Sequence, residues 1–154
     1  MINYVKGDIL EHVTEGILVH SANAQGVMNS GFAKVLRKKY PGMYDQYVKD
    51  IDDGIVLGGV SGWFNEDNTL EIASIIGQEF YGREKDIRYV SYDALDTALK
   101  NIFSYARIIK YEKVSMVKVG AGLGGGTWSV IEQIIVDAAF KNNYDTSNVY
   151  VYWL

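Results

Sequence analysis

The chain has 154 residues, 48% hydrophobic and 22% charged, enough to bury a core without a metal or disulfide staple. It has no cysteine, which excludes disulfides, thiolate chemistry and sulfur-ligated zinc, and His12 and His20 alone cannot build a histidine cage; neither a metal nor a cofactor is expected. A net charge of -4, no apolar run of membrane-spanning length and no signal-peptide core point to a cytoplasmic single domain over residues 1–154, away from membranes and nucleic acid, with no signal for an oligomer and a monomer assumed.

Residues 1–5 alternate as a first strand, and Lys6-Gly7-Asp8 is the turn that ends it. Residues 16–20 form a short apolar run of β-branched character, a buried strand that empties into the polar loop Ser21 to Gly26. Ser30-Gly31 opens a helix with Phe32, Val35, Leu36 and Tyr40 on one side, stopped by Pro41, the only proline; Tyr44 and Tyr47 predict one or two further turns. Lys34, Arg37, Lys38 and Lys39 read as a solvated helix face rather than a nucleic-acid patch.

Residues 55–61 and 69–76 are expected as strands either side of the turn 65–68. Ser91 caps a long helix with Leu95, Leu99, Ile102, Ala106 and Ile109 at helical spacing. Residues 114–119 form another strand. Thr127 or Ser129 then caps a helix with the stripe Ile131, Ile134, Ile135, Ala138 and Ala139, Ser129 and Glu132 being placed for a capping box. Residues 149–154 close the chain as a strand. Strands alternating with helices, several of them apolar throughout, predict a three-layer α/β/α domain with a mixed, mostly parallel sheet.

Ligands of such folds bind outside the carboxyl ends of the strands, and two strand-to-helix loops there are unusual. Residues 120–126 hold five glycines in seven positions, which brings backbone N–H groups within reach of an anion, and the following helix N-terminus adds more. That composition predicts a phosphate cradle; a flexible turn is the alternative. Gly120, Gly122 and Gly125 match the spacing of a dinucleotide fingerprint, but only 29 residues follow Gly125 (154 − 125), too few for the rest of that fold, and no lysine supplies a P-loop.

In the first loop Asn23 is suited to hold ribose hydroxyls, accepting and donating at once, or to stabilise an Asx turn. His20 ends its strand just before the loop, so its ring either enters the crevice or sits in the core bonded to a backbone carbonyl. Asp8 either accepts from an exocyclic amine or is a turn residue.

Val5-Lys6-Gly7-Asp8-Ile9, then residues 18–26 and Ser30-Gly31-Phe32-Ala33, then 120–125, in this order, resemble the macro domain family across nearly the whole chain. His20-Ser21-x-Asn23-x-x-Gly26 and Lys39-Tyr40-Pro41 are similar to the branch that includes the yeast ADP-ribose 1''-phosphate phosphatase. The resemblance implies a pocket for small-molecule ADP-ribose derivatives. Asp8 would bind the adenine amine and the Ile9 N–H a ring nitrogen, Asn23 the distal ribose, and Gly31 the diphosphate, with Gly26 and Ser30 in the loop around it. Gly122, Leu123, Gly124, Gly125, Gly126 and Thr127 would wrap the diphosphate and distal side, and Tyr152 would stack on adenine. Trp128 is read as packing its helix against the core.

The implied activity is a phosphatase, with His20 as acid-base or nucleophile and Asn23 stabilising phosphoryl oxygens. The alternatives are a non-catalytic ADP-ribose-binding module, or a hydrolase of ADP-ribosyl or O-acetyl-ADP-ribose esters. Two departures bear on the choice. The lysine and aspartate of the branch that removes ADP-ribose from glutamate fall near Tyr89 and on Gly124, and the second loop lacks the acidic residue implicated in the yeast-like enzymes.

Overall fold

The computed structural model describes residues 1–154, in the order β1 (Asn3–Lys6), α1 (Ile9–His12), β2 (Gly16–Asn23), α2 (Gly31–Lys39), α3 (Pro41–Asp52), β3 (Val60–Phe64), β4 (Leu70–Gln78), α4 (Tyr92–Ile108), β5 (Val114–Met116), α5 (Trp128–Lys141) and β6 (Val149–Trp153). The strands make one six-stranded sheet, β1-β6-β5-β2-β4-β3, in which every pairing is parallel except β3 with β4. No helix is long and apolar enough to cross a membrane.

β2 and β4 are buried almost from end to end because helices cover both faces. The two-residue period of a strand divides their side chains between two cores. Ile17, Val19, Ala73 and Ile75 join the buried faces of α4 and α5, whereas Leu18, Ala22, Ile72 and Ile76 pack with Leu36, Met43 and Tyr47 from α2 and α3. This is the three-layer α/β/α architecture the apolar strands predict. Ser91 caps α4 as expected, accepting from the Ala94 N–H at 3.1 Å.

The helix opened by Ser30-Gly31 runs to Lys39 and stops before Pro41, as expected. The further turns expected around Tyr44 and Tyr47 are the twelve-residue α3, longer than the one or two turns predicted; Pro41 stands at its start, where a missing N–H costs nothing and a fixed φ is already helical. Three local expectations are corrected. The strand expected at 55–61 is displaced to Val60–Phe64, residues 54–59 being taken up in turns. The strand expected at 114–119 ends at Met116, and Val117 to Val119 turn away into the cleft described below. The Ser129–Glu132 capping box does not form: Thr127 is the N-cap of α5 and makes no side-chain cap bond. Two short elements are additional: the single turn α1, whose N-cap Asp8 accepts from the Leu10 N–H at 2.9 Å, and a 3-10 turn at Thr146–Asn148 before β6.

Leu99 is fully buried in the larger core and Ile108, at the end of the same helix, is 72% exposed. Leu99→Ala is expected to cost about 2–5 kcal/mol and Ile108→Ala less than about 0.5 kcal/mol, measured by urea unfolding.

Candidate functional site

The carboxyl ends of β2, β4 and β5 open into a cleft of about 760 Å³, walled by residues 27–33 on one side, 117–124 on another and 78–83 across its end. Both long walls present backbone. Ser30 is the N-cap of α2 but makes no side-chain cap bond, so the N–H groups of Gly31, Phe32 and Ala33 have no acceptor within the protein. In the glycine loop, Ala121, Gly125 and Gly126 donate to carbonyls of the same segment, whereas the N–H groups of Gly122, Leu123 and Gly124 donate to nothing. The walls come together where a Cβ on Gly31 would stand 3.4 Å from the Leu123 side chain.

The glycines of this loop are needed for different reasons. A Cβ on Gly124 would meet the Gly120 carbonyl oxygen at 2.8 Å, so no aspartate fits there with the loop in this shape. A Cβ on Gly122 would meet nothing within 4 Å, and the residue needs no positive φ. Its small size serves the open cleft rather than the packing of the loop.

Asn23 does not accept and donate freely. It is 7% exposed, and its Oδ1 accepts from the N–H groups of Gln25 at 3.0 Å and Val27 at 3.3 Å and from the Tyr47 hydroxyl at 3.0 Å, while its Nδ2 donates to the Val27 carbonyl at 2.8 Å. The acceptor is spent on shaping the loop, and one amide hydrogen remains for a ligand. Tyr47 is fully buried and also donates to the Asn23 carbonyl at 2.5 Å, tying the end of β2 to α3; burial pushes its phenol up to about 12.

His20 lies at the cleft floor, 1% exposed, its ring 6.2 Å from that of Phe32. Its partner is a side chain, not the backbone carbonyl of the core alternative: Nε2 is 2.6 Å from Ser74 Oγ. The Ser74 hydroxyl lies 3.6 Å from Met43 Sδ; with its hydrogen turned to that sulfur it accepts from His20 Nε2–H, the tautomer that leaves Nδ1 a lone pair. Nδ1 is buried and has no partner in the protein. Burial lowers the imidazole pKa to about 4, so the ring is neutral at pH 7.

Of the residues singled out from the sequence, His20, Asn23, Ser30, Gly31, Gly122, Leu123 and Gly124 line this cleft together. Gly125 and Gly126 lie behind it, packed against the Ile87 carbonyl and the Ile131 side chain respectively, and the Thr127 N–H donates to the Tyr92 hydroxyl at 3.0 Å. Gly26 holds the loop by accepting from the Tyr44 hydroxyl at 3.1 Å. Asp8, Ile9 and Tyr152 stand outside the cleft at the neighbouring strand ends, Tyr152 beside His12 with ring centroids 6.0 Å apart. Trp128 packs edge-on to Tyr4 and donates to its hydroxyl at 3.0 Å.

Tyr81, Gly82, Arg83 and Lys118 also line the cleft and were not legible in advance. The aromatic-and-basic run Phe80-Tyr81-Gly82-Arg83 was the available signal. Residues 79–90 carry no periodicity, and their place follows from a long-range tie: the N–H groups of Tyr89 and Val90 both donate to the Gly124 carbonyl, at 2.8 and 3.0 Å.

A three-layer α/β/α fold with its cleft between two strand-to-helix loops is the class of protein defined so far. No family model matches the sequence. An ADP-ribose 1''-phosphate phosphatase of Candida albicans is 27% identical over 98% of this chain and 99% of its own length. A DNA ADP-ribosyl glycohydrolase of Mycobacterium tuberculosis is 29% identical over 90% of this chain, which spans 38% of that protein. A solved macrodomain protein from Streptomyces coelicolor superposes with a TM-score of 0.80 at 26% identity, covering 100% of this chain and 99% of the other. The chain has the macro domain fold, and its sequence is similar to those of yeast ADP-ribose 1''-phosphate phosphatases and of macrodomain proteins.

Two outcomes follow from this geometry. His20 titrates near 6.5 when unfolded and at about 4 in the fold, so between these values the unfolded chain binds the extra proton. Its contribution to stability is complete above pH 6.5 and is lost as pH falls to about 4, by about 3 kcal/mol in all; urea midpoints across that range should show the slope, and His20→Gln should flatten it. Gly124→Ala is expected to lower the melting temperature by several degrees through the clash at Gly120, and Gly122→Ala to leave it unchanged.

Proposed function

We propose that the chain is a hydrolase of ADP-ribose derivatives and, within that class, an ADP-ribose 1''-phosphate phosphatase. The observation that carries the reading is the pair of facing backbone rows: three unpartnered N–H groups at the start of α2 and three in the glycine loop. A diphosphate between them would be met by donors from both sides and by the positive end of a helix dipole, with no side-chain charge needed. The likeness to the Candida albicans phosphatase over nearly all of both chains supports the same substrate class.

The remaining residues take roles by their positions. The free amide hydrogen of Asn23 would serve the distal ribose or its phosphate. Asp8, the Ile9 N–H and Tyr152 would receive adenine at the adjoining strand ends. At the cleft floor, His20 Nδ1 acts as the base. A water attacks the terminal phosphorus as its proton passes to Nδ1; the bond from phosphorus to the C1'' oxygen breaks, and the leaving oxygen takes the proton back. The products are ADP-ribose and inorganic phosphate. The neutral ring with its lone pair at pH 7 supports a base rather than an initial acid, and the loop N–H groups stabilise the phosphoryl oxygens.

A second reading, an ADP-ribose-binding module without turnover, is favoured by the burial of His20 beside Phe32 and by the absence of an acidic residue in the glycine loop. The two are separated by calorimetric titration with ADP-ribose beside a phosphate-release assay on ADP-ribose 1''-phosphate. His20→Gln is expected to lower phosphate release by about 10²–10⁴-fold. Its ADP-ribose affinity should stay within about 1 kcal/mol of the unmodified protein. Binding without release by the unmodified protein would leave the module reading, and no binding would remove both.

A further inference from the structure

The sheet carries a second cavity at its opposite end. β4 enters at Leu70 and reaches the cleft at Gln78, so Glu71 lies seven residues from the cleft end, on the order of 20 Å away along the strand. Around Glu71 is a cavity of about 260 Å³, bounded by β2, β3, β4 and α4. Its walls are apolar (Ile17, Val60, Ala73 and Ile102), with Asn101 exposed at the mouth.

Glu71 is 8% exposed. Its Oε1 accepts from the Tyr105 hydroxyl at 2.6 Å and the Tyr111 hydroxyl at 3.2 Å. Burial and the neighbouring carboxylate hold both phenols above their ordinary range, so both keep the protons they donate. Oε2 makes no hydrogen bond. It borders the space left by Gly62, where a Cβ would lie 3.2 Å from it. The ion pairs of the chain are Lys49–Asp53, Lys100–Asp96 and Lys113–Glu15, and none of them reaches Glu71.

Glu71 is held by the two tyrosines at Oε1, while Oε2 is not among the fully enclosed unpartnered atoms, which are His20 Nδ1 and Ser21 Oγ; it is open to the cavity and free to take a positively charged partner. We propose that this cavity is a binding site for a small primary ammonium compound, whose charged head meets Glu71 Oε2 and whose short alkyl chain lies along Ile17, Val60, Ala73 and Ile102. An ammonium group has three donors and no acceptor, which suits the carboxylate oxygen Oε2, and the unbonded Asn101 amide at the mouth offers one further acceptor in its oxygen. The volume is that of several waters at ~30 Å³ each, enough for an amine of a few carbons and too small for a nucleotide. The site stands apart from the ADP-ribose reading and does not depend on it.

The test is an NMR titration of the protein with n-butylammonium, with n-butanol as the uncharged probe of the same shape. Saturable shifts are expected at Gly62, Glu71 and Asn101 with the amine and not with the alcohol. Glu71→Gln still accepts from the tyrosines but removes the charge, and should weaken binding at least about tenfold, which is ~1.4 kcal/mol. Gly62→Ala keeps the carboxylate and narrows the space before Oε2, and should weaken it as well. No saturable shift with the amine, equal shifts with n-butanol, or undiminished binding by Glu71→Gln would each overturn the proposal.

Discussion

The cleft depends on one strand, β2, being enclosed on both edges and both faces. With β5 and β4 on either side and helices above and below, its backbone is satisfied and its side chains are committed in strict alternation to two cores. Only at its carboxyl end does the enclosure stop, and there the chain changes from Val19 to His20, Ser21 and Asn23. Polar groups at that boundary must find partners close by. Asn23 finds them in its own loop and in Tyr47, and His20 finds half of them in Ser74. The loop that walls the cleft is therefore fastened to the most protected part of the fold.

That fastening explains which parts of the molecule were legible in the sequence. The layers followed from apolar strands and helical stripes, signals that depend only on local spacing. Pro41 marked the junction of α2 and α3, because a residue excluded from helix interiors is fit for a first turn, while the full length of α3 was not evident from Tyr44 and Tyr47 alone. The two loops around the cleft announced themselves by composition. The residues that reach the cleft from 78–83 did not, since a stretch without periodicity takes its position from bonds to a partner more than thirty residues away. The role of Asn23 was half legible: the residue type permits both a ligand contact and an Asx turn, and only the position of Tyr47 shows where its acceptor is spent.

Burial gives His20 a mixed character. Desolvation keeps the ring neutral, which favours accepting a proton, and the Ser74–Met43 chain chooses the nitrogen left to do so. The same desolvation makes imidazolium costly, so a proton accepted there would be returned readily. Backbone donors face the opposite situation. Those of α2 and the glycine loop have fixed directions and no charge to desolvate, and they lose little conformational freedom when a ligand arrives.

The Gly124 carbonyl receives two N–H groups from the segment before α4, and Gly124 has room for no side chain. The glycine loop and the 79–90 segment are thereby one mechanical body. A movement that widens the cleft at Leu123 must carry Tyr89 and Val90 with it or break both bonds at once. Opening the cleft on that side therefore couples two segments that are distant in the chain, the glycine loop and the stretch just before α4.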